Sequence, residues 1–164
     1  MGGWGSEREV SLTSGKGVAE ALRERGWTNV SELDMDRDVA RRLAELKPDV
    51  VFNALHGTPG EDGTVQGMMD LMGVHYTHSG LETSVIAIDK ELTKMVLVPH
   101  GIRMPKGKIV ESRSLFEGDP MARPYVVKPV NEKYRSFVKG ARLAVDVLTY
   151  PLILGCPCCV AAPG

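Results

Sequence analysis

Four short segments carry residues able to do chemistry. GGWGSEREVS at residues 2–11 sets a glycine pair ahead of a polar stretch and a helix, an order that lets backbone N–H groups approach an anion. The glycine spacing of a dinucleotide loop is missing, so these residues equally fit a plain turn. NALHGTPGEDGTVQG at 53–67 places His56, Glu61 and Asp62 in a glycine-rich loop. An imidazole there could donate to a carboxylate or phosphoryl oxygen, with Glu61 holding it in one tautomer; a solvated acidic loop with a surface histidine is the competing reading. HYTHSG at 75–80 leads to AIDK at 87–90. Lys90, just inside a helix, is placed either to reach a phosphate or to point to solvent. YVVKPVNE at 125–132 ends an apolar strand on Lys128, whose ammonium must find water or an anion because burying an unpaired charge is costly.

The elements that would position these residues alternate between helix and strand. Residues 14–25 carry Val18, Ala19, Ala21 and Leu22 on a helical period and stop at Gly26, a residue that tolerates a left-handed C-cap. Residues 30–33 suit a short strand, and 39–46 a helix closed by Lys47 and Pro48. DVVFNAL at 49–55 is a nearly continuous apolar run, as in a parallel strand covered on both faces, and should be the most buried strand. Thr64 is suited to N-cap a helix carrying Val65, Met68, Met69 and Met72. Strand, loop and helix in that order put the 56–63 loop at a strand's carboxyl end, where open α/β sheets bind ligands. A strand at 75–77 leads through His78, Ser79 and Gly80 into a further helix that restarts over 89–98 and is broken by Pro99 and Gly101; strands at 106–110 and 124–130 follow, with a second lobe beginning near residue 86.

The 164 residues are 43% hydrophobic and 25% charged, with a formal net charge of -1. That balance suits a globular protein and lacks the strongly basic surface of a nucleic-acid binder. No apolar run follows a basic start, so the expected location is the cytoplasm rather than the secretory route. Cys156, Cys158 and Cys159 crowd the end of the chain, where they cannot staple a small fold, and no histidine stands near to complete a four-ligand metal set. From Lys133 onward four basic residues face Asp146 alone, and the apolar run at 143–160 is interrupted by Asp146 and Pro151. It is too broken for a membrane span, leaving a buried strand or helix, or an unstructured segment.

In this order and at these spacings the segments resemble the D-alanine:D-alanine ligases of the ATP-grasp superfamily. Gly-Gly with Glu-Arg-Glu-Val-Ser, His-Gly with Gly-Glu-Asp-Gly, Tyr-Thr-x-Ser-Gly, Asp-Lys and Val-Lys-Pro succeed one another across residues 2–130. Each is common alone; the ordered set is specific. The resemblance implies an α/β fold: a Rossmann-like (pre-ATP-grasp) parallel-sheet lobe at 1–85, the beginning of an ATP-grasp lobe at 86–132, and an atypical tail at 133–164, disordered or out of frame. It implies ATP-dependent joining of two D-alanines through an acyl phosphate, for peptidoglycan synthesis. By the same resemblance Glu7 matches the glutamate that binds the ammonium of the first D-alanine. His56 matches the loop histidine beside the substrate carboxylate and acyl phosphate, where it stabilises charge. Lys90 and Lys128 match two lysines that grip the ATP phosphates.

Mg2+ is implied alongside ATP, but residues 1–132 offer no set of hard-oxygen ligands, so no metal site is assigned. The implied partners are D-alanine, ATP and a second copy in a homodimer, with neither nucleic acid nor membrane. Two departures stand out. The family carries an apolar strand ahead of Gly-Gly, where this chain starts at Met1; and it carries Gly-Ser-Ser-Val-Gly after Lys-Pro-Val-Asn-Glu, where this chain has KYRSFVKG. The expectation is a chain inactive by itself, with a non-catalytic nucleotide-binding or dimerisation fragment as the alternative.

Overall fold

Helix α1 (Arg8–Glu24) starts well before the apolar period of residues 14–25 because its first turns bury small residues, Ser11 and Gly15, rather than large apolar ones. It ends as the glycine predicts. Gly26, at φ +91°, donates to the Arg23 carbonyl and the Trp27 N–H to the Leu22 carbonyl, the paired closure of a left-handed cap. The computed structural model describes residues 1–111 and 119–130, together with the backbone of 142–147 and 160–161. These fall into two units, Met1–Val85 and Ile86–Gly164.

In the first unit, α2 (Val39–Leu46) closes at Lys47, which takes the left-handed conformation and donates to the Leu43 carbonyl. Helix α3 (Thr64–Met72) corrects the expected cap. Thr64 is already helical, Gly63 at φ +88° is the cap residue, and the Asp62 carboxylate accepts the Thr64 N–H at 3.0 Å. A carboxylate two residues ahead satisfies that N–H, which leaves the threonine hydroxyl no capping duty.

The strand segments pair in parallel, each over a short length. Gly2 bridges Met35, with the Met35 N–H donating to the Met1 carbonyl, and Val51 bridges Tyr76. Residues 49–55 are not the most buried strand: Val50 and Phe52 are 51% and 52% exposed, while Ala54 and Leu55 are buried. One edge of this segment is used, through Val51 N–H to the His75 carbonyl and Thr77 N–H to the Val51 carbonyl. Among the described residues no strand pairs with its other edge beside Val50 and Phe52. The core comprises Met35, Val39, Leu43, Leu55, Val65 and Met69.

Helix α4 (Leu81–Ile88) is followed by α5 (Lys90–Leu97), and a 3-10 turn at Val98–His100 ends the helical run where Pro99 and Gly101 break it. In the second unit β1 (Gly107–Glu111), β2 (Tyr125–Pro129), β3 (Arg142–Val147) and β4 (Val160–Ala161) form an antiparallel sheet in the order β1-β3-β2-β4. Strand β3 falls within the segment read as a buried strand, a helix or unstructured chain. The cysteine cluster lies outside the described residues. No described helix is long and apolar enough to cross a membrane.

Met69 has no exposed surface whereas Leu71, two residues on, is 92% exposed. Met69→Ala should therefore cost about 2–5 kcal/mol, and Leu71→Ala should stay within about 0.5 kcal/mol, both read from urea midpoints.

Candidate functional site

From its cap onward α1 spaces Glu7, Ser11 and Ser14 four and then three residues apart, which puts them on one face of the helix. Glu7 is the half-buried N-cap residue of α1. Ser11 is fully buried: its Oγ accepts the Gly2 N–H at 2.8 Å and donates to the Ala54 carbonyl at 2.7 Å. Ser14 Oγ stands 3.1 Å from His56 Nε2. By that spacing Glu7 and His56 belong to the same side of α1, one at its start and the other opposite its second turn.

The loop after Leu55 is held by its own polar groups. Glu61 donates its N–H to the Gly57 carbonyl, its Oε2 accepts the Gly57 N–H at 3.0 Å, and its Oε1 lies 3.9 Å from His56 Nδ1. The side-chain amides of Asn53 and Gln66 both donate to the Gly60 carbonyl. Close approach makes glycine necessary at two places. A Cβ on Gly5 would lie 2.7 Å from the Thr58 carbonyl oxygen, and one on Gly60 would lie 2.2 Å from Leu55 Cβ. The 2–5 and 56–60 loops therefore touch backbone to backbone.

Arg8 fastens the opposite side of the first loop. Its Nη1 donates to Gly3 O at 3.0 Å and to Asp34 Oδ1 at 2.7 Å, and Nη2 donates to the second Asp34 oxygen. The hydrogen bond from Arg8 holds the Asp34 carboxyl below its usual range. The Arg37 guanidinium lies 3.9 Å above the Trp4 ring, a cation–π contact. A depression of about 480 Å³ lined by Leu43, Lys47, Asp49, Met72 and His75 lies at the start of the 49–55 strand, the end away from His56.

The two lysines belong to the second unit. Asp89 N-caps α5, accepting the N–H groups of Glu91 and Leu92, and Lys90 is the first helical residue. Its backbone N–H donates to the Val130 carbonyl at 2.9 Å. Because Lys128 lies in β2, two residues before Val130, that bond sets both half-buried lysines at one corner of the unit. Two cations at a helix N-terminus suit a polyphosphate. Among the described residues no group of three or more His, Cys, Asp or Glu could hold a metal ion.

Sequence reasoning missed Ser11, Ser14 and the capping role of Asp89. The serines were signalled only by their helical spacing from Glu7, and no apolar period marks polar residues that face inward.

Ser11→Ala leaves two buried backbone groups unpaired and should lower stability by about 1–3 kcal/mol, read by urea denaturation. For Asp34 the depressed folded value means that its contribution to stability is fully present above the unfolded value of 3.8 and is lost as pH falls through the lower folded value. Arg8→Gln should flatten the acid limb of stability against pH in that window.

Residues 28–79 match the family described as D-ala D-ala ligase N-terminus. The D-alanine--D-alanine ligase of Rhizorhabdus wittichii is 80% identical over 132 residues, covering 80% of this chain and 42% of the relative. That of Erythrobacter litoralis is 63% identical over 164 residues, all of this chain and 48% of the relative. Among solved structures, D-alanine--D-alanine ligase from Bacillus anthracis matches with a TM-score of 0.69 at 26% identity, covering 89% of this chain and 55% of that one. The same enzyme complexed with ATP matches with a TM-score of 0.64 at 25% identity, over 89% of this chain and 56% of that one. The chain spans about half the length of the relatives it matches. It belongs to the D-alanine–D-alanine ligase family, matching that family's N-terminal portion.

Proposed function

We propose that the chain carries the first-substrate lobe and the opening of the nucleotide-gripping lobe of an ATP-dependent D-alanine:D-alanine ligase of the cytoplasm, and that by itself it forms no dipeptide. The observation that carries the reading is the contact of Ser14 in α1 with His56, on the helix face that sequence spacing assigns to Glu7 as well. A carboxylate at Glu7 suits the ammonium of an amino acid, and an imidazole at His56 suits its carboxylate and the charge that develops there. ATP, when bound, supplies the phosphoryl group that activates that carboxylate. Lys90 and Lys128 would hold its phosphates and offset their charge, acting by position and electrostatics.

No Mg2+ ligand is assigned to the described residues, and no step is built on one. Homodimerisation belongs to the same proposal, by likeness to the family. The inactivity rests on the sequence after Glu132, where KYRSFVKG stands in place of the family's Gly-Ser-Ser-Val-Gly phosphate loop.

Incubating the chain with ATP, Mg2+ and D-alanine should yield neither dipeptide nor D-alanine-dependent phosphate release; dipeptide would contradict the proposal. In calorimetric titration with ATP, Lys90→Ala and Lys128→Ala should each weaken binding about tenfold, the worth of one charge-assisted contact. Binding unchanged by either substitution would remove these lysines from the nucleotide site.

A further inference from the structure

We infer that Gln66 is a positioning residue for His56: from α3 it grips the loop that carries the histidine. Only the use made of His56 rests on the proposed function; the grip itself is a matter of geometry. Gln66 is 1% exposed and shares the buried side of α3 with Val65 and Met69. Its Nε2 donates to the Gly60 carbonyl at 2.8 Å. That contact fixes which way the amide faces, because a carbonyl oxygen only accepts. Among the described residues the buried Gln66 Oε1 has no hydrogen-bond partner.

This is a poor arrangement for a residue whose task is to fill the core. An apolar side chain of the same length would bury as much surface and leave no acceptor unpaired. Nor does the Gly60 carbonyl need Gln66 for its own satisfaction, since Asn53 Nδ2 donates to the same oxygen at 2.9 Å. What Gln66 adds is a second tie, from α3, to a carbonyl already tied to the 49–55 strand.

From Gly60 the grip reaches His56 in short steps. Glu61, the next residue, closes on Gly57 in both directions: its N–H donates to the Gly57 carbonyl at 2.8 Å, and its Oε2 accepts the Gly57 N–H at 3.0 Å. Gly57 in turn follows His56, whose ring meets Ser14 at 3.1 Å. One tie at Gly60 would let this closed turn swing about Asn53. Two ties from different elements stop it, so the ring arrives against α1 before any ligand binds. Support of this kind, from groups that never touch the ligand, is what holds a site in its working geometry.

Gln66→Met keeps the length and burial of the side chain and removes both the donor and the unpaired acceptor. In this variant, without D-alanine or ATP, hydrogen exchange at the Gly57 and Glu61 amides should quicken about fivefold, the equilibrium worth of one hydrogen bond. The proton NMR contact between the His56 ring and the Ser14 β-hydrogens should weaken. The Val74 amide, bonded to the Met69 carbonyl at the far end of α3, should exchange as in the wild-type chain at the same pH. Gln66→Glu supplies the rescue: where its carboxyl is protonated, as read from the carbon-13 shift, its O–H can donate to Gly60 and should restore wild-type exchange and the His56–Ser14 contact. Loop amides and ring contact unmoved by Gln66→Met would overturn the inference. So would a protonated carboxyl that restores neither, or a Gln66→Met chain that loosens throughout, Val74 included, since that is the mark of a core residue. Because no ligand is present, a failure of the proposed function would leave these readouts unaffected.

Discussion

Ser11 Oγ, buried without exposed surface, accepts the Gly2 N–H and donates to the Ala54 carbonyl, and the candidate site of the first unit is positioned through that one atom. It joins the glycine loop at 2–5 and helix α1, close in sequence, to the end of the 49–55 strand, where Ala54 is 43 residues on from Ser11. Hydrogen bonds that satisfy a buried backbone donor and a buried backbone acceptor together are costly to lose, because neither group has water to turn to. With α1 pinned at this depth, Ser14 arrives opposite His56 and Gly5 comes against the Thr58 carbonyl.

Around this pin the contributions differ in kind. The core residues Met35, Val39, Leu43, Leu55, Val65 and Met69 supply apolar burial. The exposed pairs Arg23–Glu32, Arg41–Glu45 and Arg42–Asp36 lie on the surface, where ion pairs contribute little. Arg8–Asp34 differs from those pairs in being bidentate, and the Arg8 bond to the Gly3 carbonyl holds the glycine loop in place. In the second unit a backbone hydrogen bond from Lys90 to Val130 does the comparable work, locking the start of α5 to the end of β2.

Much of this was legible in the sequence, and the failures have physical causes. The span of α2 could be read from its apolar period and from Pro48, and β2 from a β-branched run bounded by prolines. The family was legible because short motifs that are weak singly kept their order across residues 2–130. The start of α1 was hidden because its inward face is built from Ser11, Gly15 and Ala19, which leave no hydrophobic signature. The cap of α3 was misassigned to Thr64 because the choice between a hydroxyl and the Asp62 carboxylate depends on loop geometry. Burial of 49–55 was overestimated because hydrophobicity reports what a strand could cover, whereas the side chains of Val50 and Phe52, which share one face of the strand, remain half exposed. Glu7 and His56 were chosen through the resemblance, but the serines between them needed coordinates.

The claim on which the account turns is that α1 and the two loops it joins form one amino-acid site. Amide NMR of the chain titrated with D-alanine addresses it most directly. The account predicts chemical-shift changes confined to residues 2–8 and 56–63, with Ser14 on the same face, and abolished by Glu7→Gln. Shifts absent at saturating D-alanine, or centred on Leu43, Lys47 and His75 at the far end of the strands, would contradict it.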